Sequence, residues 1–232
     1  MATSSNDQAP LLVVAALGRE LTALDRADPD LVLLETGEGT DNAERQLETW
    51  LKEYSARAVL SIGFAGALSS SLKATELVIA TDVYDSTAKP DAKLLSAAKR
   101  VKMDGPALRF GLALTSHQIL WQAESKRAFA NSLPPKEIGF VDMESAAIAR
   151  VCDRQGLPFL IARSITDLLD EDLPLDFNQY RDASGRVDSK QVMKAALLKP
   201  RAIKALLELQ TRSRVCAERM AEFVRRLVPE IG

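Results

Sequence analysis

Histidine, cysteine and aromatic residues are scarce in this 232-residue chain, which has one histidine, two cysteines and only 5% Phe, Trp and Tyr. A lone His117 excludes a multi-histidine metal centre. Cys152 and Cys216 lie far apart in helix-like sequence, with no ligand spacing and no disulfide framework, so a reducing cytoplasm is the expected location. Long hydrophobic runs are absent too: the stretch Leu11–Leu17 falls well short of the ~20 residues needed to cross a bilayer. Residues 1–10 carry neither a basic segment nor an apolar one, which predicts a disordered tail rather than a signal peptide. What is present, 47% hydrophobic and 27% charged residues at a net charge of −2, fits a globular protein with a sizeable core. At roughly 150 residues per domain, the length suits one α/β domain with extensions, here residues 11–232.

Short β-branched runs alternate with longer stretches of helical period, the pattern of a wound α/β sheet. Strands are predicted at 11–16, 31–35, 58–62, 76–83, 107–114, 138–142 and 158–163, several of them apolar throughout, as strands covered on both faces are. Helices are predicted at 19–27, 41–54, 91–102, 123–131, 143–155, 189–198 and 201–228, with Asp41 and Glu44 at capping-box spacing. In the last helix Cys216, Met220, Phe223, Val224 and Leu227 form one apolar stripe, so that helix packs on something. Residues 190–232 hold ten Lys/Arg against four Glu, a net of +6 that leaves −8 for the rest. Such a basic helical extension (189–232) suits either a solvated face or contact with anionic membrane. No aromatic residues interleave with it, which argues against nucleic acid.

Three segments are candidates for chemistry. Gly37-Glu38-Gly39, between a strand and a helix, is either a tight turn or an anion-binding loop, although Glu38 opposes a phosphate and no third glycine completes a dinucleotide fingerprint. Ser61-Ile62-Gly63-Phe64-Ala65-Gly66-Ala67 follows a buried strand with residues small enough for a ligand to approach the main chain. Asp142-Met143-Glu144-Ser145 joins a strand end to a helix, placing Glu144 in the first turn, where a carboxylate is favoured by the helix dipole. The following strand ends near Asp167. If the two strands are neighbours, Glu144 and Asp167 emerge together, with Glu20 as a third carboxylate. Three carboxylates, one histidine and no metal motif suggest acid–base work on an uncharged substrate, of which glycoside cleavage is one example.

These pieces resemble the nucleoside phosphorylase/nucleosidase superfamily. The matching stretches are A-A-L-G-R-E-L, T-G-E-G-T-D-N-A, S-I-G-F-A-G-A-L, V-D-M-E-S-A-A-I-A-R-V-C and P-F-L-I-A-R-S-I-T-D. The likeness is strongest to the 5'-methylthioadenosine/S-adenosylhomocysteine nucleosidases and to the hopanoid-associated phosphorylases. The D-x-x-G-R-V turn and the K-P-R-A-I-K-A-L-L-E-L segment are similar to the hopanoid-associated phosphorylases, which remove adenine from adenosylhopane. The resemblance implies a single-domain three-layer α/β/α fold with a mixed, partly barrel-like sheet, no cofactor or metal, and a homodimer or larger assembly. It implies a small nucleoside as substrate and water or phosphate as nucleophile. Under it Asp167 is the general acid at purine N7, Glu20 activates water, and Glu144 binds the ribose hydroxyls. Asp142, Met143, Phe64, Ala65 and Gly66 border the substrate, and Phe177 flanks the 5' substituent.

Two departures bear on the nucleophile. Phosphorolytic relatives place an arginine and a serine where this chain has Ser61 and Phe64, and a dianion without a fixed cation is poorly held. That favours water, while Arg19 beside Glu20 keeps phosphate open. Two further classes remain: a non-catalytic nucleoside binder, and a dinucleotide-dependent dehydrogenase resting on the partial G-x-G.

Overall fold

The computed structural model describes residues 9–84, 86–182 and 185–231. The tail expected at 1–10 therefore lies outside the described residues, except for Ala9 and Pro10. Seven strands form one sheet: β1 (Leu11–Ala15), β2 (Leu31–Glu35), β3 (Ala58–Ala67), β4 (Leu77–Val83), β5 (Arg109–Thr115), β6 (Gly139–Asp142) and β7 (Phe159–Asp167). Their order is β2-β1-β3-β6-β5-β4-β7, and a further pairing of β3 with β7 closes the last five into a barrel. The sheet is mixed, since β3 is antiparallel to β6 and parallel to β1 and β7.

The uniformly apolar strands are explained by cover on both sides. Alternate residues of β1 enter different cores: Leu12 and Val14 join Leu47, Phe140 and Ile148, whereas Leu11 and Val13 join Leu94, Met220 and Phe223. The first core is roofed by α2 (Thr40–Glu53) and α5 (Ser145–Gln155). The second is roofed by α3 (Ala92–Arg100) and the long α7 (Pro200–Ile231). The three layers and the partly barrel-like sheet are those expected.

Local differences have physical reasons. The helix expected at 19–27 is a single turn, α1 (Gly18–Leu21). Beyond it Asp25 and Asp28 accept from the backbone N–H groups of Ala27 and Asp30, which offers the chain an alternative to the helix ladder. No capping box opens α2: its N-cap is Gly39, at φ +92°, and Glu44 instead meets Arg154 at 2.7 Å and Arg150 at 3.5 Å. The expected strands 58–62 and 158–163 run on to Ala67 and Asp167, because β3 and β7 stay paired from Val59↔Phe159 to Gly66↔Asp167 across a bulge at Ala65/Gly66. Ser61–Ala67 is thus strand rather than post-strand loop.

The C-terminal region is part of the core. Cys216, Met220, Phe223, Val224 and Leu227 are buried. Its basic character divides in two. Arg219, Arg225 and Arg226 donate to the carbonyls of Asp104, Pro106, Ala23 and Lys102, and Arg212 does so to Thr166. Of the two remaining helices, α4 (Ala123–Ala130) and α6 (Ser189–Leu197), α6 together with the start of α7 carries Lys190, Lys194, Lys199, Arg201 and Lys204, the last 3.8 Å from Glu208, beside exposed Met193, Leu197, Leu198 and Leu207. No described helix is long and apolar enough to cross a membrane.

Candidate active site

The site is built on β3. Strands β6 and β7, expected as neighbours, do not pair. β3 runs between them, and Gly66 faces Val141 on one side and Asp167 on the other. Two glycines make the room. A side-chain carbon at Gly63 would sit 3.1 Å from Glu20 Oε1, and one at Gly66 would sit 3.0 Å from Asp167 Oδ2. Neither glycine marks a turn; each lets a carboxylate approach the strand.

Glu20 reaches this strand from α1. Its Oε1 accepts from the Phe64 N–H at 2.8 Å and its Oε2 from the Leu17 N–H at 2.8 Å. Burial raises its pKa above the usual glutamate value, against those two hydrogen bonds and the charges of Arg163 and Arg19. Glu144 is the N-cap residue of α5 rather than part of its first turn. Its Oε1 accepts from the Gly39 N–H at 2.6 Å and its Oε2 from the Met143 N–H at 3.3 Å. Burial, then the nearby Asp142 carboxylate, push it up to about 8, and Glu20 adds to the repulsion. The Gly37–Gly39 turn, with φ of +83° and +92° at its glycines, thus spends a main-chain donor on a protein carboxylate.

Asp167 ends β7. Thr166 donates its hydroxyl hydrogen to Oδ1 at 2.9 Å, and Lys126 donates to Oδ2 at 2.7 Å. Burial raises its pKa, with the Lys126 charge the largest opposing influence. Lys126, on α4, is fully buried and was not expected from the sequence, where one lysine in a charged helix of eight residues carries no signal.

Asp142, expected beside the substrate, faces inward. It forms a 2.6 Å ion pair with Arg163, accepts from the Ser145 hydroxyl and from the Ser145 N–H at 3.1 Å, and is 5% exposed. Arg163 Nη1 donates to the Ser61 carbonyl at 3.0 Å, and Nη2 donates to Ser61 Oγ at 3.1 Å. This buried knot fixes the β6–α5 corner and therefore Met143 and Glu144. Arg163 also escaped notice, since an arginine within an apolar strand shows its partners only once the sheet is assembled.

Of the remaining expected residues, Phe64 lies against Glu20 and Gly66 against Asp167. Phe64 is half-buried, with the Arg19 guanidinium 5.6 Å from its ring centroid. Ala65 is buried beside it. Phe177 opens a 3-10 turn (Phe177–Tyr180), packs with Leu175 and Val192, and precedes Asn178, which holds Ile119 through both its N–H and C=O. From the same segment, Arg181 comes within 3.7 Å of where a side chain at Gly39 would begin.

A profile of the phosphorylase superfamily matches residues 18–198. The 5'-methylthioadenosine/S-adenosylhomocysteine nucleosidase of Shewanella halifaxensis is 27% identical over 78% of this chain and 86% of its own length. The same-named Neisseria meningitidis protein, solved with methylthio-immucillin-A, superposes with a TM-score of 0.71 at 21% identity, covering 95% of this chain and 98% of that one. Futalosine hydrolase of Helicobacter pylori reaches 0.70 at 17% identity, over 97% and 100%. The profile spans all five barrel strands as well as Glu20, Glu144 and Asp167, and the chain belongs to the phosphorylase superfamily.

Proposed function

We propose that this protein hydrolyses the N-glycosidic bond of a 5'-substituted adenosine and releases adenine. Membership of the superfamily makes it an enzyme that cleaves nucleosides; the substrate and the choice of water are our reading. The observation that carries it is the gathering of Glu20 and Asp167, both buried, against β3, with half-buried Glu144 close enough to feel the charge of Glu20, and with all three pKa values raised. Asp167, as the acid, gives its proton to N7 while the C1'–N9 electron pair withdraws into the base. Glu20 takes a proton from the water that bonds to C1', and Glu144 accepts from the ribose hydroxyls. The proton given by Asp167 and the one gained by Glu20 balance over one turnover.

Hydrolysis is favoured because Arg163, the cation that reaches Ser61, is committed to Asp142, Ser61 and main-chain carbonyls rather than free to hold a phosphate. For the 5' group, a lipid-linked adenosine of the adenosylhopane type is favoured over methylthioadenosine by one feature. Leu197 and Leu198 are 65% and 85% exposed, flanked by Lys194, Lys199, Arg201 and Lys204, above the cluster that seats Phe177. Sedimentation with anionic vesicles is expected for the intact chain and lost in Leu197→Asp/Leu198→Asp; equal sedimentation of both would favour the small substrates.

Asp167→Asn is the direct test of the acid. Adenine release is expected to fall by roughly 10²–10⁴-fold with the fold intact by circular dichroism. Full activity in that variant would remove Asp167 from the mechanism, and tight nucleoside binding without turnover by the unmodified protein would make it a binder.

A further inference from the structure

We propose that Lys126 is a positioning residue for the reaction, holding Asp167 through Oδ2 so that Oδ1 is the oxygen presented to the purine. This rests on the reading of Asp167 as the acid. An ammonium has three donors and no acceptor, and all three are committed: Asp167 Oδ2 at 2.7 Å, the Leu168 carbonyl at 2.5 Å and the Glu171 carbonyl at 2.6 Å. The side chain is fully buried, a rare state for lysine that demands such pairing.

The surroundings are shaped to keep the pair. Gly66 leaves space at both partners, since a side-chain carbon there would lie 3.0 Å from Asp167 Oδ2 and 3.6 Å from Lys126 Cδ. The turn that supplies the two carbonyls is clamped from the other side: Glu171 accepts from the Leu168 N–H at 3.1 Å and from Arg212 Nη1 at 2.8 Å, and Arg212 also donates to the Thr166 carbonyl at 2.5 Å. The start of α4 is tied to the same segment by Asp172, which accepts from the Ala123 N–H at 2.7 Å. A staple for this turn needs only the two carbonyl contacts. The third donor is aimed at the carboxylate, and burying a charged pair often adds no stability over apolar packing.

The charges facing Asp167 are Lys126 from α4, Glu171 from the turn after β7 and Arg212 from α7; the Cys216 thiol, also on α7, is pushed up to about 11 by burial and stays neutral. β3 and β6 contribute Gly66 and Val141 there, without charge. Lys126 opposes the rise that burial imposes on Asp167. An acid works only while protonated, so activity falls as pH rises through its pKa. Removing Lys126 raises that pKa and moves the alkaline limb of the profile upward.

The test is a pH profile of kcat and kcat/KM for Lys126→Met, Lys126→Gln and Lys126→Arg, with methylthioadenosine and a 5'-alkyl adenosine as probes. Both neutral variants are expected to shift the alkaline limb upward by roughly 1–3 pH units, and Lys126→Arg to keep it near its original place. Lys126→Gln retains an amide donor for the carbonyls, so it remains informative if Lys126→Met does not fold. In an Asp167→Asn background, Lys126→Met is expected to cost nothing further in kcat. An unmoved limb, or the same loss of kcat in both backgrounds, would reduce Lys126 to a staple of the Leu168–Glu171 turn. Full activity of Asp167→Asn alone would instead overturn the acid assignment, and this inference with it.

Discussion

Glu144 accepts a 2.6 Å hydrogen bond from Gly39 while enclosed with Asp142 and Glu20, and the enclosure outweighs the bond, lifting its pKa from 4.5 to about 8. A carboxyl that keeps its proton longer in the folded state than in the unfolded one stabilises the fold fully below pH 4.5, and that contribution is lost as pH rises to about 8. Urea midpoints taken at the two ends of this window should therefore fall less in Glu144→Gln than in the unmodified protein; an equal fall would show that Glu144 does not titrate there. Gly39, which supplies the donor, sits at φ +92°, where a β-carbon is strained. Gly39→Ala is expected to destabilise by about 1–3 kcal/mol and to raise KM more than it lowers kcat, measured by urea titration and initial rates. At this scale the sequence showed which residues were chemical but not what they touched. Glu20, Glu144 and Asp167 announce themselves beside strand ends, whereas Lys126 and Arg163 look like ordinary charges until the barrel brings Asp167 and Asp142 to them. Asp142 shows the converse: it is adjacent to Met143 and Glu144 in sequence, yet alternation along β6 and the pull of Arg163 turn it inward.

Among the elements, strands were easier to place than their ends. The β1, β2 and β4 runs stand out because both faces are apolar, but the Ser61–Ala67 stretch looks like a loop, since glycine and serine normally punctuate strands. Here the glycines are demanded by carboxylates packed against the strand, a requirement no local pattern reveals. The helix at 19–27 failed for the opposite reason: its apolar spacing was helical, and Asp25 and Asp28 captured the backbone first. The apolar stripe of α7 was legible, although its partner was not. It is one wall of the second core, so Phe223→Ala should cost about 3–5 kcal/mol in urea unfolding, whereas Leu207→Ala, on an exposed face of the same helix, should stay within about 0.5 kcal/mol. Comparable losses at the two positions would contradict the burial assigned to α7.

For the whole molecule, closure of β3, β6, β5, β4 and β7 into a barrel decides function, because it brings residues from α1, the β2–α2 turn, the β6–α5 corner and the end of β7 around one strand. That closure depends on the β3–β7 pairing, which is distant in sequence and came only with the family resemblance, not with periodicity. It leaves a chamber in which burial raises the pKa of all three carboxylates, that of Glu144 to about 8, and in which the buried Arg163 is already committed, a setting suited to water and ill suited to a phosphate dianion. The most direct measurement is adenine release from methylthioadenosine, S-adenosylhomocysteine and a 5'-alkyl adenosine, each with and without inorganic phosphate. Hydrolysis at this site requires release from at least one of them at a rate that phosphate does not change. Release that appears only when phosphate is added, with a sugar phosphate as the second product, would contradict it.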